Sequence, residues 1–208
     1  MASIDNALTT LNNAKAHMDI SSNSKNAVIT KIILGASAFV EQYCRRKFGR
    51  TAYTNELISG GGSKLFLRNT PIISGETFLL QAMNGAPSDN DWRSVDGDHY
   101  AIDYNSGSLS TLVSNWFDGI QNYRANYTAG YYLPSSANYQ DGVDDNLDLP
   151  YDLELAVLDL VSAIFNKRKS GGVTSERVYQ VSITYAKALK DDPITKEILD
   201  HYKVMSYR

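Results

Sequence analysis

Residues 126–169 are NYTAGYYLPSSANYQDGVDDNLDLPYDLELAVLDLVSAIFNKRK, a stretch that begins with a strand-like pattern and ends with a helical one. In its second half, apolar residues recur at the intervals that place side chains on one face of an α-helix: Leu153, Val157, Leu160 and Ile164. The spacing predicts a long amphipathic helix whose apolar stripe lies in the core of the protein.

Both ends of this helix carry the residues that helix ends favour. Pro150 suits the first helical position, because a proline there loses no hydrogen bond. Asp152 and Glu154 give the first turn a negative charge, and residues 167–169 (Lys-Arg-Lys) give the last turn a positive one, as the helix dipole favours. The glycine pair at 171–172 then supplies the left-handed conformation that ends many helices.

The composition is that of an ordinary globular protein, with 208 residues of which 43% are apolar and 21% charged. This length suffices for one large domain, or one domain with an insertion. The net charge of −3 argues against a protein that coats nucleic acid, because binding phosphates requires an excess of Lys and Arg. The fourteen tyrosines suit a surface that contacts other proteins, or equally the half-exposed faces of strands.

Cysteine usage and the N-terminus bear on the cellular compartment. Cys44 is the only cysteine, so no disulfide forms within the chain and a reducing compartment is expected. The first ten residues, MASIDNALTT, lack the basic patch and apolar run of a signal peptide. The apolar stretches are judged too short for a membrane span. We therefore expect synthesis in the cytoplasm and no membrane association.

Two helices are predicted before residue 49. Ser3 is the expected cap of a short first helix that buries Ala7, Leu8, Leu11 and Met18. A longer second helix is expected over residues 25–48, with a wide apolar face: Val28, Ile32, Phe39 and Tyr43, with Ile29, Ile33, Ala36 and Val40 beside them. Its last turns carry Arg45, Arg46 and Lys47, which form either a solvated helix end or an anion-binding site.

From Thr51 the apolar period changes to that of strands. Residues 53–58 and 64–68 flank three glycines, Gly60 to Gly62, which predicts a hairpin. Further strands are expected at residues 76–82, 99–104, 108–111 and 120–127. The glycines are followed by Ser63-Lys64, but the Walker spacing of a phosphate loop is absent. The sequence thus predicts an antiparallel β region between the second and third main helices.

The region from Asn84 to Asp148 is acidic, with ten Asp residues against Arg93 and Arg124. Residues 141–148 (DGVDDNLD) are rich in the oxygen ligands that calcium prefers. An EF-hand needs glycine at its sixth position, whereas Asn146 and Leu149 fall there in the two possible registers. A solvated acidic loop is therefore the expectation.

After residue 172, residues 177–185 alternate enough to predict an extended arm. Asp192 and Pro193 then supply a cap and a first helical position for a terminal helix. Its expected stripe is Ile194, Ile198, Tyr202 and Met205. Residues 202–208 form a tail, which we expect to be weakly anchored and able to order itself on a partner.

The sequence offers no catalytic constellation. His17, His99 and His201 fall in three different predicted elements, so neither a His-Glu-x-x-His motif nor a zinc site is indicated. The nucleophile elbow is absent, and Ser22-x-x-Lys25 lacks the companion motifs of the penicillin-binding enzymes. We therefore expect no enzyme activity, no metal and no cofactor.

The order of elements resembles the phage head–tail connector family, whose members are also called adaptor or head completion proteins. The resemblance lies in the opening helix pair, in residues 126–131 (NYTAGY), in residues 149–153 (LPYDL) leading into an Ala- and Leu-rich helix, and in the arm before the last helix. It covers most of the chain. The acidic β region and the loop at residues 135–147 are longer than the family leads us to expect.

The resemblance implies an α+β fold: a small bundle of three to four helices with an antiparallel β insertion. The chain is then one connector domain, with a helical core at 3–48 and 149–169, a C-terminal arm and helix at 176–203, and the β insertion at about 51–132. The helical core is expected to contain Val28, Ile32, Phe39 and the stripe of the third main helix.

The function implied is that of a virion protein at the capsid vertex, made in the host cytoplasm. It forms an oligomeric ring, usually of twelve copies, that docks on the portal protein, receives the next head completion or tail protein, and lets DNA pass without specific binding. Before docking, the chain is expected to be either a monomer or a ring. The expected partner interface comprises Arg45, Arg46, Tyr202, Lys203, Met205, Tyr207 and Arg208. The alternative is a tail or baseplate module that binds protein or carbohydrate through the Tyr- and Asp-rich β region.

Overall fold

The computed structural model describes residues 6–84, 91–136, 148–170 and 179–204. In these ranges the fold is mixed α+β, with five α-helices and two antiparallel sheets. The helices are α1 (Leu11–His17), α2 (Asn26–Cys44), α3 (Tyr151–Ser170), α4 (Tyr179–Asp191) and α5 (Pro193–His201). Seven strands lie between α2 and α3: β1 (Thr51–Gly60), β2 (Lys64–Phe66), β3 (Leu79–Met83), β4 (Trp92–Ser94), β5 (Tyr100–Asp103), β6 (Ser108–Thr111) and β7 (Gly119–Ala129).

The chain divides into two compact units, which we describe separately. The helical unit comprises Met1–Phe48 and Tyr132–Arg208, and the β unit comprises Gly49–Tyr131.

Helix α3 lies at the centre of the helical unit and packs against each of the other four helices. The four residues of its apolar stripe are buried, with Leu153 and Val157 fully inaccessible and Leu160 only 2% exposed. The predicted long helix is thus present, and its apolar face is the core of this unit. The glycines at 171–172 lie outside the described residues.

Helix α2 ends four residues before the predicted end at Phe48. Arg45 adopts the left-handed conformation (φ 57°) and its N–H bonds back to the Gln42 carbonyl, so it ends the helix without a glycine. The cations at 45–47 therefore follow the helix instead of forming its last turn. The buried side of α2 is Ile29, Ile32, Ile33, Ala36, Ser37, Val40 and Cys44. Val28 and Phe39 are half-buried at its margin.

The expectation that every apolar stretch is too short to span a membrane is wrong for helix α2. Its nineteen residues are long and apolar enough to cross a membrane, as judged by length and composition alone. The core helix of a globular protein passes the same test. Here α2 packs against α1, α3, α4 and α5, which accounts for its apolar composition.

Helix α1 begins later than predicted, at Leu11, and Thr10 caps it by accepting a hydrogen bond from the Asn13 N–H (3.1 Å). Ser3, the predicted cap, lies outside the described residues. The segment before α1 is fixed by the buried carboxylate of Glu154 on α3, which accepts hydrogen bonds from Thr9 Oγ1 (2.7 Å) and Asn13 Nδ2 (2.8 Å). Glu154 thus holds the N-terminal segment against α3, in addition to its place in the first helical turn.

The prediction of an extended arm at residues 177–185 is wrong, because the chain is helical from Tyr179 to Asp191. Tyr185 and Leu189, one helical turn apart, are both buried. The Tyr185 ring stacks on Phe39 (5.5 Å between centroids), and its hydroxyl donates to the Ile32 carbonyl (2.7 Å). Gly35 makes room for this contact, since a Cβ there would lie 2.7 Å from the Tyr185 hydroxyl oxygen.

Helix α5 begins as predicted, with Pro193 at its start and the Asp192 carboxylate accepting hydrogen bonds from the N–H groups of Ile194 and Thr195. The predicted stripe is shifted, however. Ile194 is 73% exposed, and the buried residues are Thr195 and Leu199. The face of α5 that is buried therefore lies one residue further along the chain than the face predicted from the apolar pattern.

In the β unit, one sheet has the strand order β1-β7-β3-β4 and the other β2-β6-β5. The prediction of a hairpin around Gly60 to Gly62 is wrong, because β1 and β2 belong to different sheets. Tyr53 pairs with Tyr127 on β7, and Leu65 with Leu109 on β6. The strand predicted at residues 108–111 matches β6 at both ends. The other predicted strands correspond to β3, β5 and β7 with shifted ends, and β4 was not predicted.

The core of the β unit is a mixed aliphatic and aromatic cluster. Its buried members include Ile58, Leu65, Leu80, Leu109, Trp116, Tyr123 and Tyr127. Tyr127 donates from its hydroxyl to Glu56 Oε2 (2.6 Å), and that hydroxyl accepts from the side chain of Asn69 (3.3 Å). Burial and the Glu56 carboxylate raise the pKa of Tyr127 well above its usual value.

Alkaline pH is expected to destabilise both units, because each buries at least one tyrosine. Burial raises the pKa of Tyr185, as it does that of Tyr127. A raised folded-state pKa gives stability that is fully present below the unfolded-state pKa of about 10 and is lost as the pH rises above it. Each tyrosine should lower the free energy of unfolding by about 1 kcal/mol per pH unit in that range.

Chemical unfolding at a series of pH values tests this expectation. The variants Tyr127→Phe and Tyr185→Phe should each flatten the alkaline slope, and Tyr104→Phe, at an exposed position, should leave it unchanged. Equal slopes in all four proteins would contradict the assignment.

Candidate functional site

The end of α2 brings together the first part of the predicted partner interface. Because Arg45 turns the chain out of the helix, residues 46–48 cross the helix end. Phe48 is completely buried there. The guanidinium of Arg46 lies over its ring, 5.0 Å from the centroid. Cation–π contacts of this kind hold an arginine head group at a defined place on a surface.

Tyr202, at the end of α5, contacts the same surface, although it lies near the other end of the sequence. Its ring meets Phe48 edge-to-face, with centroids 6.2 Å apart, and its hydroxyl donates to Asp152 Oδ1 (2.7 Å) in the first turn of α3. Tyr202 thus links the ends of α2 and α5 to the start of α3. Residues far apart in the sequence form one surface, which we call the C-terminal cluster: Tyr43, Arg46, Phe48, Asp152, Asp200, Tyr202 and Lys203.

Lys203 completes the cluster on its outer side. Its ammonium group lies 4.6 Å from the centroid of the Tyr43 ring, and Tyr43 donates a hydrogen bond to Asp200 Oδ1 (2.5 Å). The next residue is also held, since the Val204 N–H donates to the carbonyl of Cys44 (3.0 Å). The expectation of a tail weakly anchored from Tyr202 is therefore wrong for residues 202–204.

The electrostatics of the cluster follow from these bonds. Partial burial, followed by the hydrogen bond to Asp200 and its charge, raises the pKa of Tyr43 to about 12. The pKa of Asp200 is lowered by hydrogen bonds from Lys196 and Tyr43. At neutral pH Tyr43 is therefore a neutral donor and Asp200 an anion, and the cations Lys196 and Lys203 lie beside Asp200.

The structure thus places Arg45, Arg46, Tyr202 and Lys203 at one end of the helical unit. The other three predicted interface residues, Met205, Tyr207 and Arg208, lie outside the described residues, although the chain leads into them from Val204. Phe48 and Asp152, which position Tyr202, were not predicted as part of this site. Phe48 reads as an ordinary buried aromatic residue after a helix, and Asp152 as an ordinary acidic residue in a first helical turn. Nothing in the sequence therefore indicates that the two residues contact the same tyrosine.

Among the residues that the structure describes, no group of three or more His, Cys, Asp or Glu side chains could hold a metal ion. Cys44 is buried, and burial raises its pKa to about 11, so it remains a thiol at neutral pH. The cluster has the chemistry of a contact surface: aromatic rings, cations and fixed hydrogen bonds.

Comparison with known proteins identifies the family. The head completion protein family (HCP) matches residues 7–204. The chain belongs to the head completion protein family. Membership gives the protein a structural role in head completion.

Solved structures share the fold at low sequence identity. A chain in the neck of an empty gene transfer agent (GTA) particle, computed with C6 symmetry, is 11% identical with a TM-score of 0.56, covering 100% of this chain and 95% of that one. One in the neck of a native GTA particle, computed with C12 symmetry, is 15% identical with a TM-score of 0.52, covering 100% and 94%. One in a native GTA virion is 13% identical with a TM-score of 0.50, covering 97% and 92%. No curated protein matches the chain.

Proposed function

We propose that the protein forms a ring that joins the portal at the capsid vertex to the tail. The observation that carries this proposal is the family match over residues 7–204, which spans both the helical and the β unit. In this proposal the helical unit is a bundle that carries the β unit as an insertion between its second and third main helices. The whole chain then acts as a single connector domain.

A ring of identical subunits requires heterologous interfaces, in which one surface of a copy meets a different surface of the next. The similar structures include necks computed with C6 and C12 symmetry, and twelve copies is the stoichiometry that we propose for the docked ring. Docking on the portal is one route to assembly, so the chain in isolation is either a monomer or a ring.

The ring extends the channel through which DNA leaves the head. A channel that lets DNA slide should not hold its phosphates, and the net charge of −3 suits passage better than binding. DNA is therefore a transient occupant of the channel in this proposal. Neither catalysis nor a cofactor takes part, since the role consists of contacts between proteins.

The C-terminal cluster is the proposed docking point for the portal. Arg45 and Lys203 are exposed beside a tail that continues past Val204, and arginine and tyrosine are residues that often dominate binding energy at interfaces. Tyr202 and Lys203 hold the start of the tail, and the proposed interface continues along the sequence to Met205, Tyr207 and Arg208. The opposite side of the ring receives the next head completion or tail protein.

Purified heads that carry portal but lack this protein provide the test. Adding the protein should produce an annulus at the vertex in electron micrographs, with rotational averaging showing its symmetry. Binding to a glycan array without any attachment to heads would favour a carbohydrate-binding tail module and would refute the ring proposal.

A truncation after Val204 should separate docking from folding. Removing residues 205–208 leaves Tyr202 and its bonds to Phe48 and Asp152 in place, so the melting temperature should stay unchanged while attachment to portal-bearing heads weakens by about tenfold or more. The readout is the number of copies per head, measured by quantitative mass spectrometry.

The matched comparison is Tyr202→Ala in the full chain. This variant loses a packed ring and a hydrogen bond, so its free energy of unfolding should fall by about 2 kcal/mol. A truncated chain that docks as well as the full chain would exclude the tail from the interface.

A further inference from the structure

The β unit contains a groove between two edge strands. β1 is the last strand of one sheet and β2 the last strand of the other, and residues from both line a cavity of about 280 Å³. Two large apolar side chains there remain open to solvent: Leu57 is 40% exposed and Phe66 is 62% exposed. Edge strands with exposed apolar side chains are sites where another chain can pack.

The open charge of this groove is positive. Lys64 and Arg68 line it and are exposed, and within the described ranges neither forms an ion pair. The groove also holds the carboxylate of Glu56, which already accepts hydrogen bonds from the Arg68 N–H (2.9 Å), the Asn69 side chain (3.3 Å) and the Tyr127 hydroxyl (2.6 Å). An incoming group would therefore meet two cations that form no ion pair in the described ranges, one carboxylate that is already hydrogen-bonded, and two apolar side chains.

The far edges of the same two sheets carry the opposite charge. β4 ends the first sheet and β5 the second, and residues 95–99 connect them directly. The carboxylates on this acidic edge are Asp91, Asp96, Asp98 and Asp103. Asp96, Asp98 and Asp103 are exposed, whereas Asp91 pairs with Arg93 (3.3 Å).

The attraction between Lys64 in the groove and Asp103 on the acidic edge of the same β unit is small. Hydrogen bonds from Ser106 and Asn105 lower the pKa of Asp103, and Lys64 is the smallest contribution to this shift. One edge of the unit is thus cationic and apolar, and the other is anionic. Two different, complementary surfaces on one chain are the requirement for head-to-tail contacts that close into a ring.

We propose that the groove between β1 and β2 receives the acidic β4–β5 edge of a second copy of this chain. The proposal rests on the ring proposed above and names the contact between neighbouring β units within it. Leu57 and Phe66 supply the apolar area of this contact, and Lys64 and Arg68 fix its register against the carboxylates of the neighbour.

Charge reversal on each edge provides the test, on portal-bearing heads that lack the protein. The groove variant is Lys64→Glu with Arg68→Glu, and the edge variant is Asp96→Lys with Asp98→Lys. Each should reduce the copies per head by about tenfold or more, because like charges then face each other at every contact. An equimolar mixture should restore the ring, since each variant then meets a neighbour of opposite charge and the two alternate.

Controls separate this contact from general effects of charge and folding. Lys187→Glu with Lys190→Glu makes the same change in net charge as the groove variant, at exposed positions of α4, and should attach like the wild type. Because Asp96 caps the short 3-10 helix at Gly97–His99, the single variant Asp98→Lys repeats the edge test with that cap intact.

Each result bears on a different proposal. Wild-type attachment by both reversed variants, an equal loss in the α4 control, or a mixture that does not recover would overturn the groove contact while leaving the ring proposal standing. If the wild type does not attach to heads, the proposed function fails and the groove contact fails with it.

Discussion

Replacing Leu160 by Asp is expected to unfold the helical unit. Leu160 is 2% exposed on α3, the helix that packs against α1, α2, α4 and α5. Burying an unpaired charge, together with the loss of an apolar side chain, should cost about 4 kcal/mol or more. A change of that size is a large share of the stability of a protein of this length.

The matched control is Leu155→Asp on the same helix. Leu155 is 46% exposed, so the same chemical change meets water and should alter the free energy of unfolding by only about 0.5 kcal/mol. Far-ultraviolet circular dichroism reports the helices. Both tryptophans, Trp92 and Trp116, lie in the β unit, so fluorescence reports that unit separately. A cooperative melt of Leu160→Asp at the wild-type temperature would show that the stripe of α3 is not core.

The sequence identified α3 correctly because its local signals and its packing agree. The acidic first turn and the stripe that contains Leu160 each act within one helix, and the fold buries that same face. Pro150 lies one residue before the helix and not at its predicted first position, since α3 begins at Tyr151. Asp192 and Pro193 succeeded at α5 for the same reason, since a cap satisfies nearby N–H groups whatever the helix packs against.

Helix α4 shows where local reasoning fails. Residues 179–185 (YQVSITY) are rich in β-branched and aromatic side chains, which favour strands when judged by propensity. What determines the helix is the gap that Gly35 leaves on α2, into which Tyr185 fits and donates its hydrogen bond. That gap is more than a hundred residues away in sequence, so no window around Tyr185 contains it.

The site shows the same division between local and distant information. The cations at 45–46 and the residues at 202–203 were each recognisable as candidate contact residues, and the structure places them in one cluster. The reason they meet is the left-handed turn at Arg45, which brings Phe48 beneath Tyr202. A non-glycine residue in this conformation has no dependable sequence signature, and so the anchored start of the tail was missed.

The glycines at 60–62 were recognised as a turn, but their partners were not. β1, which runs into the turn, pairs with β7, a strand that follows about sixty residues later. The register of β1 is therefore set by contacts with a distant part of the β unit. The Gly60 N–H donates to Asn122 Oδ1 (2.7 Å), and Asn122 in turn donates to the carbonyl of Phe117 (2.9 Å). The turn is therefore packed against the start of β7, which a flexible hairpin would not be.

This packing predicts a large effect for Gly60→Ala. A Cβ at position 60 would lie 2.1 Å from the Phe117 carbonyl oxygen and 2.6 Å from the Tyr123 ring. The first of these atoms belongs to the backbone and cannot rotate away, so β1 must move and the hydrogen bond to Asn122 is strained. We expect the β unit to lose about 3 kcal/mol of stability, seen as an earlier transition in tryptophan fluorescence.

Gly97→Ala is the control that makes this prediction specific. A Cβ at Gly97 would meet nothing within 4 Å, so the added methyl group should change the stability by only about 0.5 kcal/mol in either direction. Both substitutions add the same atoms to the same unit, and they differ only in what those atoms contact. If the two variants melt together, the close approach of β1 to Phe117 does not determine the stability of the β unit, and the path of the chain through Gly60 must be relaxed enough to admit a side chain.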